Sequence, residues 1–263
     1  VAGLTARRLG VIRSIDKGAN WSAPVFITEL QSIGARDPQT STPIRDGALI
    51  PAIATAPNGA LWAVWQDARF SNGARDAVAL SRSTDGGATW SAPAAINTAS
   101  NVAAFAPAIA VRADGLVGVL HYDLRADTAD ASTLLTSVWL LTSRDGVAWA
   151  ETPVLGPFDM AQAPNARGLF LGDYFGLAAA GNTFLPLVTS AAANTDNRTD
   201  IVSLRIEPAA AATLRARLPP SRKPSALERA RWREAEHAVT LRLMEQRVPS
   251  WSARVLARPP RDN

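Results

Sequence analysis

One block of this sequence occurs twice at a fixed offset, and no other feature limits the fold as much. Pro51-Ala52-Ile53-Ala54 returns 56 residues later as Pro107-Ala108-Ile109-Ala110. At the same offset Asn58-Gly59 becomes Asp114-Gly115, Asp67 becomes Asp123 and Arg69 becomes Arg125. A weaker third copy starts at Tyr174-Phe175-Gly176-Leu177-Ala178, turns at Gly181-Asn182 and continues from Phe184 to Thr189. Internal repeats of this length mark architectures in which one supersecondary unit stacks on the next. Each copy reads as strands. Asn-Gly and Asp-Gly between apolar runs are hairpin signals. Strands are expected near 51–56, 61–66, 76–83 and 90–96, then near 107–112, 116–122, 133–142 and 149–154. The third copy predicts strands near 174–179, 184–189 and 199–206. The second strand of the first two copies is almost continuously apolar (Ala60 to Trp65, Leu116 to Leu120), the pattern of a strand covered on both faces. Units of four antiparallel strands stacked face to face are the blades of a β-propeller. The segments Leu9 to Ser14 and Trp21 to Thr28 supply the third and fourth strands of an earlier unit. The expected fold is therefore all-β, with about three and a half blades.

A second repeat lies inside the first. Ser14-Ile15-Asp16-Lys17-Gly18-Ala19-Asn20-Trp21 matches Ser83-Thr84-Asp85-Gly86-Gly87-Ala88-Thr89-Trp90. Ser143-Arg144-Asp145-Gly146-Val147-Ala148-Trp149 is one residue shorter. The chemistry of such a turn is local. The Asp carboxylate and Ser hydroxyl accept backbone N–H groups, and Gly takes the positive-φ position. Trp is expected to bury its ring between neighbouring sheets. The structural set is Ser14, Asp16, Gly18, Trp21, Ser83, Asp85, Gly87, Trp90, Ser143, Asp145, Gly146 and Trp149.

The C-terminal part differs. Pro219-Pro220 and Pro224 mark a linker (209–224) after a body at 1–208. Ser225-Ala226-Leu227-Glu228 is a capping-box pattern that predicts a helix from about Ala226 to Arg247, within a basic tail at 225–263. Its stripe of Trp232, Ala235, Val239 and Leu243 suits docking. From Leu214 onward there are 12 basic and 5 acidic residues, against 15 and 18 before it. The basic charge thus belongs to the tail, and the body has no aromatic-interleaved basic stripe that would predict nucleic-acid binding. The chain has no cysteine and two histidines. Disulfide scaffolds, thiol chemistry and Cys- or His-rich metal sites are excluded, and no metal or cofactor is expected. No apolar run is long enough for a membrane span.

The repeated turns resemble the Asp-box, or BNR, repeats of the sialidase superfamily. Trp65-Gln66-Asp67-Ala68-Arg69 and Gly172-Asp173-Tyr174-Phe175-Gly176-Leu177 also look like bacterial proteins of that class. The resemblance covers roughly Leu9 to Glu207. It implies a six-bladed ring of which this sequence is an N-terminally incomplete part, a secreted or periplasmic location, and a glycan or acidic sugar as partner. Sialidases hold the substrate carboxylate with arginines, attack with a Tyr and protonate with an Asp. The Arg-Ile-Pro motif of the family is absent.

The Asp-box turns and the Asn-Gly turns are expected on one end of the propeller, which puts the remaining loops on the other. That end gathers Arg45, Asp46, Asp67, Arg69, Asp123, Arg125, Asp159, Arg167, Asp173 and Tyr174. By the resemblance, Tyr174 and Asp173 are candidate catalytic residues. Arg45, Asp46, Arg69, Arg125 and Arg167 are candidates for substrate binding, since Arg holds carboxylates through paired hydrogen bonds. The recurrence of Asp67/Arg69 as Asp123/Arg125 favours a brace between blades. His121 falls where Trp65 stands in the previous copy, a packed aromatic position. Asp196 and Arg198 read as a solvated loop. Three functions stay open: a sialidase-like glycoside hydrolase, a non-catalytic propeller that binds glycan or protein, and a scaffold.

Overall fold

The computed structural model describes residues 7–194 and 196–207. The expected linker at 209–224 and the tail helix lie outside the described residues. Among the described residues thirteen strands form four antiparallel sheets, each strand pairing with its neighbour in sequence. β1 (Arg8–Val11) and β2 (Val25–Glu29) make the first. β3 (Ala52–Thr55), β4 (Leu61–Asp67), β5 (Ala77–Ser83) and β6 (Ala94–Ala95) make the second. β7 (Ala104–Val111), β8 (Val117–Asp123), β9 (Leu135–Ser143) and β10 (Ala150–Asp159) make the third. β11 (Gly176–Ala180), β12 (Thr183–Ala191) and β13 (Thr199–Ser203) make the fourth.

The sheets stack in chain order, and side-chain alternation explains how. In β4, Ala63 and Trp65 face the first sheet and meet Leu9, while Trp62 and Val64 face the third and meet Ile109, Val117 and Val119. In β8, Val117 and Val119 face β4, whereas Leu120 and Tyr122 join Phe184 and Val188 of the fourth sheet. Both strands are buried on both faces, as their apolar runs require. Each large side chain removed from water in this way contributes about 1.5–3 kcal/mol. Gly118 of β8 lies so close to the Phe184 ring that a Cβ would sit 2.5 Å from it. Successive sheets covering each other fit a partial propeller. The outer sheets keep apolar side chains exposed, Phe26 on β2 and Ile201 on β13 among them.

The hairpins use glycine as expected, in three-residue loops. Ala56 N–H donates to Ala60 O, and Gly59 stands at φ +82°. Arg112 N–H donates to Leu116 O, with Gly115 at φ +81°. This loop, closed by a left-handed residue, is a standard hairpin solution.

The Ser-x-Asp turns form as the sequence predicts. Gly18 and Gly87 N–H groups donate to Ser14 and Ser83 Oγ at 2.7 and 2.8 Å. Gly146 N–H donates to Ser143 Oγ at 2.8 Å. Asp85 accepts from Ala88 N–H, Thr89 N–H and the Thr89 hydroxyl. Asp16 accepts from the backbone and side chain of Asn20, which holds its carboxyl down at about 2. Two of the three tryptophans pack, half-buried, against the clusters between sheets as expected: Trp90 beside Leu9, Ala63 and Trp65, and Trp149 beside Trp62, Val64 and Ile109. Trp90 and Trp149 fold back on their own turns and donate to Gly87 O and Gly146 O at 3.3 and 3.2 Å. Trp21 is 59% exposed. Gly146 instead receives the Trp62 ring of the preceding sheet, at a distance a Cβ would occupy.

Candidate functional site: a cleft at the loop end

The guanidinium of Arg144, in the third Ser-x-Asp turn, donates to Asp114 Oδ2 at 3.0 Å. Both kinds of turn therefore share one end. The opposite end carries the β4–β5 and β8–β9 loops and the long connections between sheets.

Two of these connections cross and make a cleft. The segment between β2 and β3 folds on itself, with Ile44 N–H donating to Ala35 O. It then pairs with the segment between β10 and β11: Leu169 N–H donates to Pro43 O and Arg45 N–H to Leu169 O, both at 2.9 Å. Gly168 permits this approach, because a Cβ there would lie 2.7 Å from Pro43 O. The cleft is walled by Arg45, Asp46 and Asp173 and floored by Phe105, Tyr122 and Phe175. Phe105 stacks on Tyr122 with centroids 5.6 Å apart, and Phe175 meets the same ring edge-on.

Asp46 is the most constrained carboxyl in the cleft. Its Oδ2 accepts from Ala35 N–H at 2.7 Å and from Gln66 Nε2 at 2.8 Å; its Oδ1 accepts from Ala48 N–H at 3.0 Å. Burial pushes its pKa up and outweighs these three bonds, which act in the other direction. Oδ1, with one backbone donor, has the capacity to carry a proton.

Gln66 ties this carboxyl to the strands beneath. Its Nε2 also donates to Asp76 Oδ2 at 3.2 Å, and its Oε1 accepts from Ala106 N–H at 2.9 Å. Two carboxylates and one N–H leave a single consistent orientation for the amide. Asp76 is fully buried and also accepts from Ser32 Oγ and from Ile33 and Gly34 N–H. Ala106 sits at φ +51° in a bulge where the β7–β8 register shifts between Phe105 and Ala108. A non-glycine residue in this region is strained, and such strain is characteristic of functional sites.

Arg45 lies 4.2 Å over the Phe170 ring and 3.4 Å from Asp173, with both side chains largely exposed. Its contacts with the Asp173 oxygens are long, so N–H groups remain for a ligand.

The other sequence-selected residues fall elsewhere. Tyr174 is 85% exposed and is not among the side chains lining the cleft. Arg167, at φ +65°, is exposed beside the cleft. Asp159 caps the 3-10 turn Met160–Gln162 through Ala161 N–H. Arg69 chelates Asp67, whose second partner is Trp65 Nε1. Arg125 binds Asp123 at 2.6 Å and Glu151 at 2.6 and 2.8 Å, and covers the Trp139 ring at 3.8 Å. Both arginines are spent on sheet faces, away from the cleft. Here the indole donor has moved strands: Trp139 Nε1 of β9 donates to Asp123 as Trp65 of β4 does to Asp67. His121 occupies the vacated position, fully buried, with neither ring nitrogen hydrogen-bonded.

No family model matches the chain, and no curated protein matches it. Solved structures do. A Hadza microbial sialidase, Hz136, aligns over 75% of this chain and 38% of its own, at 17% identity and TM-score 0.45. A protein of unknown function from Dyadobacter fermentans aligns over 78% and 50%, at 19% and 0.42. The α-L-arabinofuranosidase Arb93A of Fusarium graminearum aligns over 75% and 54%, at 13% and 0.40. The chain spans about half the length of these structures or less. The chemistry of the cleft is carried by its own side chains. Among the described residues no helix is long and apolar enough to cross a membrane, and no three metal-ligating side chains cluster.

Proposed function

We propose that the chain carries the ligand cleft of a sialidase-like, glycan-processing propeller, and that Asp46 is its general acid in glycoside hydrolysis. The four sheets are read as three and a half blades of a six-bladed ring. One observation supports the chemistry above all others: a cleft carboxyl whose proton affinity is raised by burial while three donors hold it in place. Glycoside hydrolysis needs such an acid to protonate the departing oxygen, and a second protein carboxylate that attacks the anomeric carbon or takes a proton from the attacking water. Asp173, across Arg45, is that second group.

The tyrosine-nucleophile form of the reaction, that of an exo-α-sialidase, has less support. The Tyr122 hydroxyl donates to Thr189 O and accepts from Thr189 N–H, and burial raises its pKa. Tyr174 has no base hydrogen-bonded to it, and a tyrosine attacks at neutral pH only with one. These two observations favour, as the second reading, a propeller that binds glycan without cleaving it.

Aryl glycosides with good and poor leaving groups separate the readings. Asp46→Asn should slow cleavage of phenyl glycosides and disaccharides, whose leaving groups need a proton, by about 10²-fold or more. It should spare 2,4-dinitrophenyl glycosides, whose leaving group needs no proton. Equal loss on both would remove Asp46 as the acid. No turnover of any glycoside, sialosides included, would leave the binding module.

A further inference from the structure

We infer that the cleft takes a neutral, hydroxyl-rich sugar and disfavours one that carries a carboxylate. This rests on the reading of the cleft as a glycan site and concerns which glycan it accepts.

The charges decide it. Arg45 is the one cation among the described residues lining the cleft, facing the Asp173 carboxylate, while Asp46, read as the acid, adds no positive charge. Arg45 already stands beside Asp173. Arg167, exposed beside the cleft, is not among its lining residues, and the other candidate arginines are engaged elsewhere. Arg69 and Arg125 are held by Asp67, Asp123 and Glu151. Arg112 is held at the turn end by Asp114 and by Asn182 O. A ligand carboxylate is only an acceptor. It would accept from Arg45 and then lie against Asp173, an uncompensated like-charge contact. A sugar hydroxyl both donates and accepts. It can accept from Arg45 or from the protonated Asp46 while donating to Asp173, so the alternation of donor and acceptor along this wall matches a run of hydroxyls. Half-buried Phe175 and exposed Ile50, both lining the cleft, offer apolar surface on which the C–H face of a sugar ring packs, and the buried Phe105–Tyr122 stack supports Phe175 from beneath.

The test is a binding measurement on Asp46→Asn, in which turnover is suppressed, followed by saturation-transfer-difference NMR and calorimetry. The probes are methyl glycosides and short oligosaccharides of neutral hexoses and pentoses, each paired with its uronic acid, and a methyl sialoside. Neutral members should bind at least about tenfold more tightly than their carboxylated partners, the size of one unneutralised charge contact at a partly exposed site. Asp173→Asn, added to the same background, should narrow that gap by strengthening the carboxylated partners. Preferential binding of a uronide or the sialoside, lost in Arg45→Ala, overturns the inference, and so does failure of both classes to bind. Neutral binding with no turnover by the unsubstituted protein keeps the ligand class and removes the hydrolase. Turnover of the sialoside in this cleft does the reverse.

Discussion

Replacing His121 with phenylalanine should abolish a loss of stability that the unsubstituted protein suffers in mild acid. The imidazole is completely buried between β8 and its neighbours, and neither nitrogen has a hydrogen-bond partner. The charged groups facing it are Asp123 at 3.9 Å and Glu151 at 3.8 Å, with the Arg125 guanidinium bound to both. Burial disfavours the imidazolium; Glu151 opposes this and Arg125 adds to it, and the outcome is a pKa lowered to about 4 from 6.5. In the unfolded chain the ring titrates at its ordinary value. Between pH 6.5 and 4 the unfolded state therefore binds the extra proton, and folding stability falls as pH falls through that window. At pH 5 the difference amounts to about 2 kcal/mol, from about 1.4 kcal/mol per pH unit over the interval already crossed. For a body of this size that is about 4–8 °C in melting temperature. Phenylalanine fills the position that Trp65 fills in the preceding sheet and carries no proton. Melting curves at pH 7.5 and pH 5 for both proteins supply a double difference in which the other carboxyl groups cancel. Parallel losses would refute the reasoning. So would an acid-induced gain in the unsubstituted protein, which would mean that Asp123 and Glu151 clamp a protonated ring.

Two further substitutions separate positioning from bracing. Gln66→Leu deprives Asp46 of its only side-chain donor and leaves Ala106 N–H without its acceptor. It should cost about 1–3 kcal/mol in a urea melt and move the basic limb of the pH–rate profile to higher pH, since the ionised Asp46 loses a stabilising bond; an unmoved limb would show that Gln66 is structural alone. Arg125→Met leaves buried Asp123 and half-buried Glu151 without their cation, for about 3–5 kcal/mol, and should leave glycan affinity of the folded protein unchanged. A fall in affinity measured well below its melting temperature would return Arg125 to the binding site.

The 56-residue offset and the Ser-x-Asp turns were sufficient to read the sheets from the sequence, because every contact they depend on is local. Asp85 takes its partners from residues no more than four positions away, and β4 and β8 need only an apolar run to be covered on both faces. The cleft is another matter. Its walls are the non-repeating segments at 30–51 and 160–175, and nothing in either predicts that Arg45 would pair with Leu169 or face Asp173, 128 residues away. Recurrence was informative in the opposite sense. Arg69 and Arg125 repeat because each sheet needs the same brace, so repetition marks what the fold requires and a cleft must be sought where the repeat stops. Gln66 carried a usable signal. An amide inside Trp65-Gln66-Asp67, at the end of a strand buried on both faces, must find partners for both its ends, and three of those partners, Asp46, Asp76 and Ala106, lie at or beneath the cleft. Arg45, Asp46 and Asp173 were legible as candidates and do line the cleft, but exposed Arg167 and Tyr174 were selected on the same grounds and do not; a polar side chain that breaks an apolar strand is the more selective pointer, since burial forces it to take partners and solvent exposure forces nothing.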